Sequence, residues 1–299
     1  MAKGTHRELM TPEIVNSVSG LSLLSKVVVE RFLSGMHRSS KLGEGMEFSQ
    51  YRAYQSGDDP RLLDWKMLAR SGRYYIRQSE QQSQVVVRFI LDASASMDHR
   101  EEGLSKLEFA RAIVACLSLL AQKQGDSIGL YALAQGTFVE VHPQLDQKQH
   151  NRLLLELLRI DPKGSWPQAA QATKIIPGRG KRELLIFLTD MYEHGRELSE
   201  FVKGLKTKNN ELVLLHLMGG REMDFDHRES LTFEDLETGA KLKVDAKKAR
   251  AHYLEALESK MAQIKEEMGA LGVYHHLFRM DRDLGHALQL FLRERARLN

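Results

Sequence analysis

The chain has 299 residues, of which 42% are hydrophobic and 28% charged, with a formal net charge of +3. Such a composition fits a globular protein with a full-sized core, and 6 prolines and 22 glycines exclude collagenous or low-complexity readings. The charge surplus lies in residues 1–80 and is too small and too spread to make a nucleic-acid footprint.

The N-terminus has a basic start with no apolar region behind it, so no secretory signal is read there. Thr11 to Gly35 reads as one helix, with Pro12 near its start and Gly35 past its end. Residues 21–33 are apolar but broken by Lys26, Glu30 and Arg31, and no stretch approaches the ~20 apolar residues of a membrane span. Lys41 to Tyr54 alternates imperfectly and leads to a turn at Ser56–Pro60. Leu62 to Ala69 reads as a short helix and Arg73 to Arg77 as a strand. Residues 1–83 are thus expected to form a small, partly β appendage.

From residue 84 the pattern changes. Val85 to Leu91 is a buried-strand run, and Leu104 to Gln122 carries the apolar stripe of an amphipathic helix. Ser127 to Leu133 and Thr137 to Val141 form a hairpin around Gly136. Helices are expected at Leu145 to Arg159 and Trp166 to Ile176, then a strand at Leu184 to Leu188 and a helix at Arg196 to Leu205. Glu211 to Leu217 is strand again. A surface hairpin flanks Glu237-Thr238-Gly239, followed by a long helix (Ala246 to Leu271), a strand (Val273 to Phe278) and a final helix (Leu284 to Leu298). Alternating strands and helices predict an α/β domain over 84–299, with a doubly wound, mostly parallel sheet.

In such a sheet, ligands bind outside the carboxyl ends of the strands. Two loops qualify by their side chains. One is Asp92-Ala93-Ser94-Ala95-Ser96, and the other is Thr189-Asp190. Asp92, Ser94, Ser96 and Asp190 offer hard oxygen donors of the kind that suits Mg²⁺, Mn²⁺ or Ca²⁺. With two neutral hydroxyls the set under-neutralises a divalent ion, whose open position would attract a carboxylate from a partner protein. The same residue types are also ordinary helix N-caps.

A strand ending in Asp-x-Ser-x-Ser, with Thr-Asp at a later strand end, resembles the metal-ion-dependent adhesion site of von Willebrand factor A domains. A second stretch resembles the signature of the bacterial domain-of-unknown-function family 58. It comprises Gly43-Glu44-Gly45-Met46-Glu47-Phe48, Arg52-Ala53-Tyr54, Gly57-Asp58-Asp59-Pro60-Arg61, Asp64-Trp65 and Ala69-Arg70. That family places this segment ahead of a von Willebrand A-like domain. The resemblance implies Asp92, Ser94 and Ser96 as metal-loop ligands, Asp190 as the second-strand carboxylate and Ser165 in the usual threonine role. Met191 stands where a glycine often follows the last aspartate. Family members are typically encoded beside MoxR-type AAA+ ATPases, so the implied role is an adaptor to such an ATPase and an unidentified client, in protein assembly or maturation.

Other constellations read as structure. Asp58, Asp59 and Asp64 among Arg52, Arg61 and Arg70 suggest ion pairs clamping the appendage, with Trp65 as an anchor. The 12 histidines show no His-Glu-x-x-His spacing. Cys116, the single cysteine, lies on an apolar helix as an inert thiol; it cannot form an internal disulfide and points to a reducing compartment. Neither a nucleophile elbow nor a phosphate loop after a strand is present. The expectation is a cytoplasmic, non-enzymatic protein-interaction module that uses a divalent ion. A metal-independent scaffold and a metal-dependent hydrolase on Asp92 and Asp190 are the alternatives.

Overall fold

The computed structural model describes residues 9–40, 50–54, 63, 65–78, 85–168, 183–226 and 230–297. The chain clusters into two compact units, residues 1–32 with 85–299 and residues 33–84.

In the larger unit, β3 (Val86–Asp92), β6 (Ser127–Ala134), β7 (Thr137–Gln144), β8 (Glu183–Thr189), β9 (Asn210–Met218) and β12 (Tyr274–Arg279) form one sheet, ordered β12-β9-β8-β3-β6-β7. All neighbours are parallel except β6 and β7, the hairpin pair. Counted from β3, the order is 3-2-1-4-5-6, that of doubly wound folds. This is the expected α/β fold with a doubly wound, mostly parallel sheet.

Side-chain alternation along the strands builds two core layers. Phe89 and Leu91 of β3, with Ile186 and Leu188 of β8, pack on one face. There they meet α4 (Lys106–Lys123), α5 (Gln149–Leu158) and α9 (Leu284–Ala296). Ile90 and Phe187 face the other way, towards α6 (Glu197–Leu205) and α8 (Ala246–Ala270). Trp166 and Phe201 close around Phe187, each with ring centroids 5.3 Å from it.

Two expectations about the N-terminal region are corrected. The helix splits into α1 (Pro12–Val15) and α2 (Val18–Ser40), because Asn16 between them bonds to α4. Its amide donates to Glu108 Oε1 at 2.7 Å and its carbonyl accepts from Arg111. Residues 9–32 also belong to the α/β unit rather than to an appendage ending at 83. Leu21, Leu24 and Val28 form an i, i+3, i+7 stripe that is buried in the main core.

In the smaller unit, β1 (Gln50–Ala53) pairs antiparallel with β2 (Tyr75–Gln78), and α3 (Trp65–Ser71) lies between them in sequence. Trp65, expected as an anchor, is 63% exposed. Glu47, Gly57, Asp58, Asp59, Arg61 and Asp64 lie outside the described residues, as does the Arg52 side chain, so the clamp of ion pairs does too. Of the expected helix at Trp166 to Ile176, residues 169–176 also lie outside them, and 166–168 carry no regular structure.

β4 (Arg100–Glu101) and β5 (Leu104–Ser105) form a short antiparallel pair ahead of α4, whose start is set by local chemistry. The Ser105 hydroxyl accepts from Glu108 N at 3.1 Å and the Glu108 carboxylate accepts from Ser105 N at 2.8 Å, a reciprocal capping box. Ser105→Ala is expected to cost about 1 kcal/mol, read as a lower urea midpoint at unchanged slope.

Candidate functional site

β3 and β8 are adjacent, and the chain leaves them in opposite directions. From β3 it passes to α4 on one face, and from β8 to α6 on the other. Their carboxyl ends therefore flank the switch point of the sheet, where a crevice opens. The side chains that the sequence singles out on these two loops converge there.

Asp92, the last residue of β3, is fully buried. Its Oδ1 accepts from Ser94 N at 2.9 Å and Ser94 Oγ at 2.7 Å, and its Oδ2 accepts from Thr189 Oγ1 at 2.6 Å. Ser94 Oγ lies 3.0 Å from Ser96 Oγ, and Ser96 donates to Asp190 Oδ1 at 3.2 Å. A short helical turn of residues 95–98 presents Ser96. Met191 adopts φ +55°, the left-handed conformation that favours glycine and lets Tyr192 N turn back to Asp190 Oδ1 at 3.1 Å.

Ser165 is not part of this cluster. Gly164, at φ +72°, turns the chain so that its carbonyl accepts from Ala95 N, while the Ser165 hydroxyl donates to Gln135 Oε1 at 3.1 Å. That corrects the threonine-like role: the 163–165 segment braces the Asp92 loop by its backbone.

Sequence reasoning missed Lys106, Glu222 and Glu237. Lys106 opens α4, its side chain 4% exposed, and donates to Asp190 Oδ2 at 3.0 Å and to Glu222 Oε2 at 3.0 Å. Glu222 lies on α7 (Gly220–Asp224), which follows β9. A cation in the first turn works against the helix dipole, and that misplacement was the available signal. The strand pair β10 (Ser230–Glu234) and β11 (Lys241–Asp245) carries Glu237 at its turn.

The electrostatics follow from burial and pairing. Burial and the Asp190 charge push the Asp92 carboxyl up to about 7. Burial also raises Asp190, but the Lys106 ammonium and the bonds it receives outweigh this and hold it below the usual range. Burial pulls Lys106 down, and its two carboxylates more than restore it. His216, which is opposite Thr189 on β9, is held neutral by burial and His275, at about 3. Cys116 is buried and its thiol raised, as expected of an inert thiol.

Among the described residues, no group of three or more His, Cys, Asp or Glu side chains is spaced to hold a metal. A cation here must draw on hydroxyls, and the donor chemistry fits a hard divalent ion. Asp190 and Glu222 share the Lys106 ammonium, Asp92 is buried beside Asp190, and one Glu237 oxygen is buried without a hydrogen-bond partner. Ser94 and Ser96 would hold the ion, with Asp92 and Asp190 behind them. Beside the cluster, a cleft of about 380 Å³ runs between Ser96, Lys106, Asp190, Tyr192, Glu222 and Phe233.

Residues 50–263 match the family described as "Protein of unknown function DUF58". The chain belongs to that family. Uncharacterized proteins of Mycobacterium bovis (Mb1516) and Mycobacterium tuberculosis (Rv1480) are each 23% identical over 295 residues, covering 96% of this chain and 91% of theirs. Among solved structures, BatB from Bacteroides thetaiotaomicron superposes with a TM-score of 0.44 at 16% identity, over 71% of this chain and 99% of BatB. The SpRpn10 VWA domain does so with 0.40 at 12%, over 69% of this chain and 94% of that one. Among the described residues of this DUF58 chain, no helix is long and apolar enough to cross a membrane.

Proposed function

We propose that this DUF58 chain is a non-enzymatic protein-interaction module that docks a partner on the rim at the carboxyl ends of β3 and β8. The observation that carries the reading is the continuous chain Asp92–Ser94–Ser96–Asp190 across the switch point. A divalent ion on the two serine hydroxyls would supply a positive charge able to bind a partner's carboxylate. Asp92 holds Ser94 by two hydrogen bonds, and Thr189 in turn orients Asp92. The partner implied by the family resemblance is a MoxR-type AAA+ ATPase, with this chain as the adaptor to a client protein.

A second reading rests on Lys106. Its ammonium already serves Asp190, so the rim could be held together and bind without a metal. Mixing the tagged chain with a purified MoxR-type ATPase separates the two. The metal-bridged reading predicts retention in Mg²⁺ that is lost in EDTA and in Ser96→Ala. Retention indifferent to both favours the second reading, and no retention under any condition removes the adaptor role.

A further inference from the structure

Glu237 sits at the turn of an exposed hairpin, where a glutamate ordinarily points to water. Its side chain is instead 3% exposed, while the neighbouring Leu236 is 46% exposed. Glu237 Oε2 lies 3.5 Å from His194 Nε2, and Oε1 is buried with no hydrogen-bond partner. Asp235 and Leu236 of the same turn line the cleft together with Ser96 and Asp190, and the Asp190 charge and the Ser96 hydroxyl both act on the Glu237 carboxylate, so it reaches the rim. The hairpin is built to hold it there. Asp235 Oδ1 accepts from Glu237 N at 2.9 Å and Thr238 N at 3.2 Å, and Tyr192, two residues beyond Asp190, donates its hydroxyl to Asp235 Oδ2 at 2.8 Å.

A buried carboxylate oxygen with no hydrogen-bond partner is costly, and here it adds to the Asp190 charge, which already shares the Lys106 ammonium with Glu222. We propose that Glu237 is an internal ligand of the rim cation: it fills, from within the chain, the position that a partner's carboxylate would take. The proposal rests on the metal-bridged reading above and adds regulation to it. The β10–β11 hairpin is a latch, and a partner's acidic side chain gains the site by displacing Glu237. The hydroxyl donors of Ser94 and Ser96 favour a hard divalent ion over a partner's lysine or arginine at this point.

The test uses the full chain and Mn²⁺ alone, followed by titration calorimetry and by hydrogen–deuterium exchange of residues 230–245. Wild type is expected to bind Mn²⁺ with slowed exchange in the hairpin. Glu237→Gln should bind it about tenfold or more weakly, the scale on which even outer-shell partners count, with no hairpin protection. In Glu237→Ala, acetate added as a free carboxylate should restore Mn²⁺ affinity, and it should do nothing for wild type. In EDTA, Glu237→Gln should melt no lower than wild type, because a carboxylate with one buried, unpartnered oxygen has been neutralised. If that variant fails to fold, Glu237→Asp replaces it, with Mn²⁺ affinity again expected to fall as the shorter side chain withdraws. Equal Mn²⁺ affinity in wild type and variant without hairpin protection would overturn the latch and leave the cation reading standing. No Mn²⁺ binding by wild type overturns both and leaves the Lys106 reading.

Discussion

Lys106→Met is expected to lower the free energy of unfolding by about 3–5 kcal/mol, because removing one member of a buried ion cluster leaves the others desolvated and unpaired. Asp190 and Lys106 are almost fully enclosed, and Glu222 keeps only a partly open edge. Methionine matches the stem of lysine in length, so the loss is one of charge and not of volume. The signature lies in the pH dependence. The Asp190 carboxyl is lowered in the folded state, so its contribution is present above its unfolded value of about 4 and fades as pH falls through the folded one. The raised Lys106 ammonium contributes below its unfolded value of about 10.4 and is lost only as pH climbs past it. Chemical denaturation of wild type and variant should differ most between those limits and converge in acid. A variant as stable as wild type at neutral pH would mean that the cluster is solvated.

Asp92→Asn is expected to act in the opposite direction. With its carboxyl raised to about 7, the folded protein takes up a proton that the unfolded chain releases near 4. Stability contributed by this group is therefore full in acid and is lost as pH rises from about 4 through 7. At ~1.4 kcal/mol per tenfold change in proton affinity, the ionised form costs roughly 2–4 kcal/mol above neutrality in EDTA. Asparagine removes the charge and keeps an acceptor for Ser94, while its amide can donate to the Thr189 hydroxyl, which also accepts from Met191 N. Wild type should melt lower at pH 8 than at pH 5 in the chelator, and Asp92→Asn should flatten that slope. If Mn²⁺ binds beside Asp92, it should restore wild type at pH 8 but not the variant.

Much of the fold was legible because it depends on short-range pattern. The run from Val85 to Leu91 and the fully apolar stretch from Leu184 to Leu188 read as buried parallel strands. The residues that end them, Asp92 and Thr189-Asp190, could be placed at a ligand-binding rim before any coordinates. The failures had one distant cause and one local cause. The helix break at Asn16 was hidden because its cause, bonds to Glu108 and Arg111, lies more than 90 residues away. Ser165 was misplaced because the left-handed turn at Gly164 redirects its side chain to Gln135.

What the sequence determined by itself was the strand and helix order and the identity of the four oxygen donors at two strand ends. These follow from hydrophobic periodicity and from the rule that sheet crevices open at carboxyl edges. Only the tertiary structure decided the charge environment of those donors. Lys106, Glu222 and Glu237 come from a helix start, a short turn of helix and a distant hairpin, and none of them stands out by spacing. Electrostatic energy depends on separation in space and on exclusion of water, and neither is written along the chain until it folds.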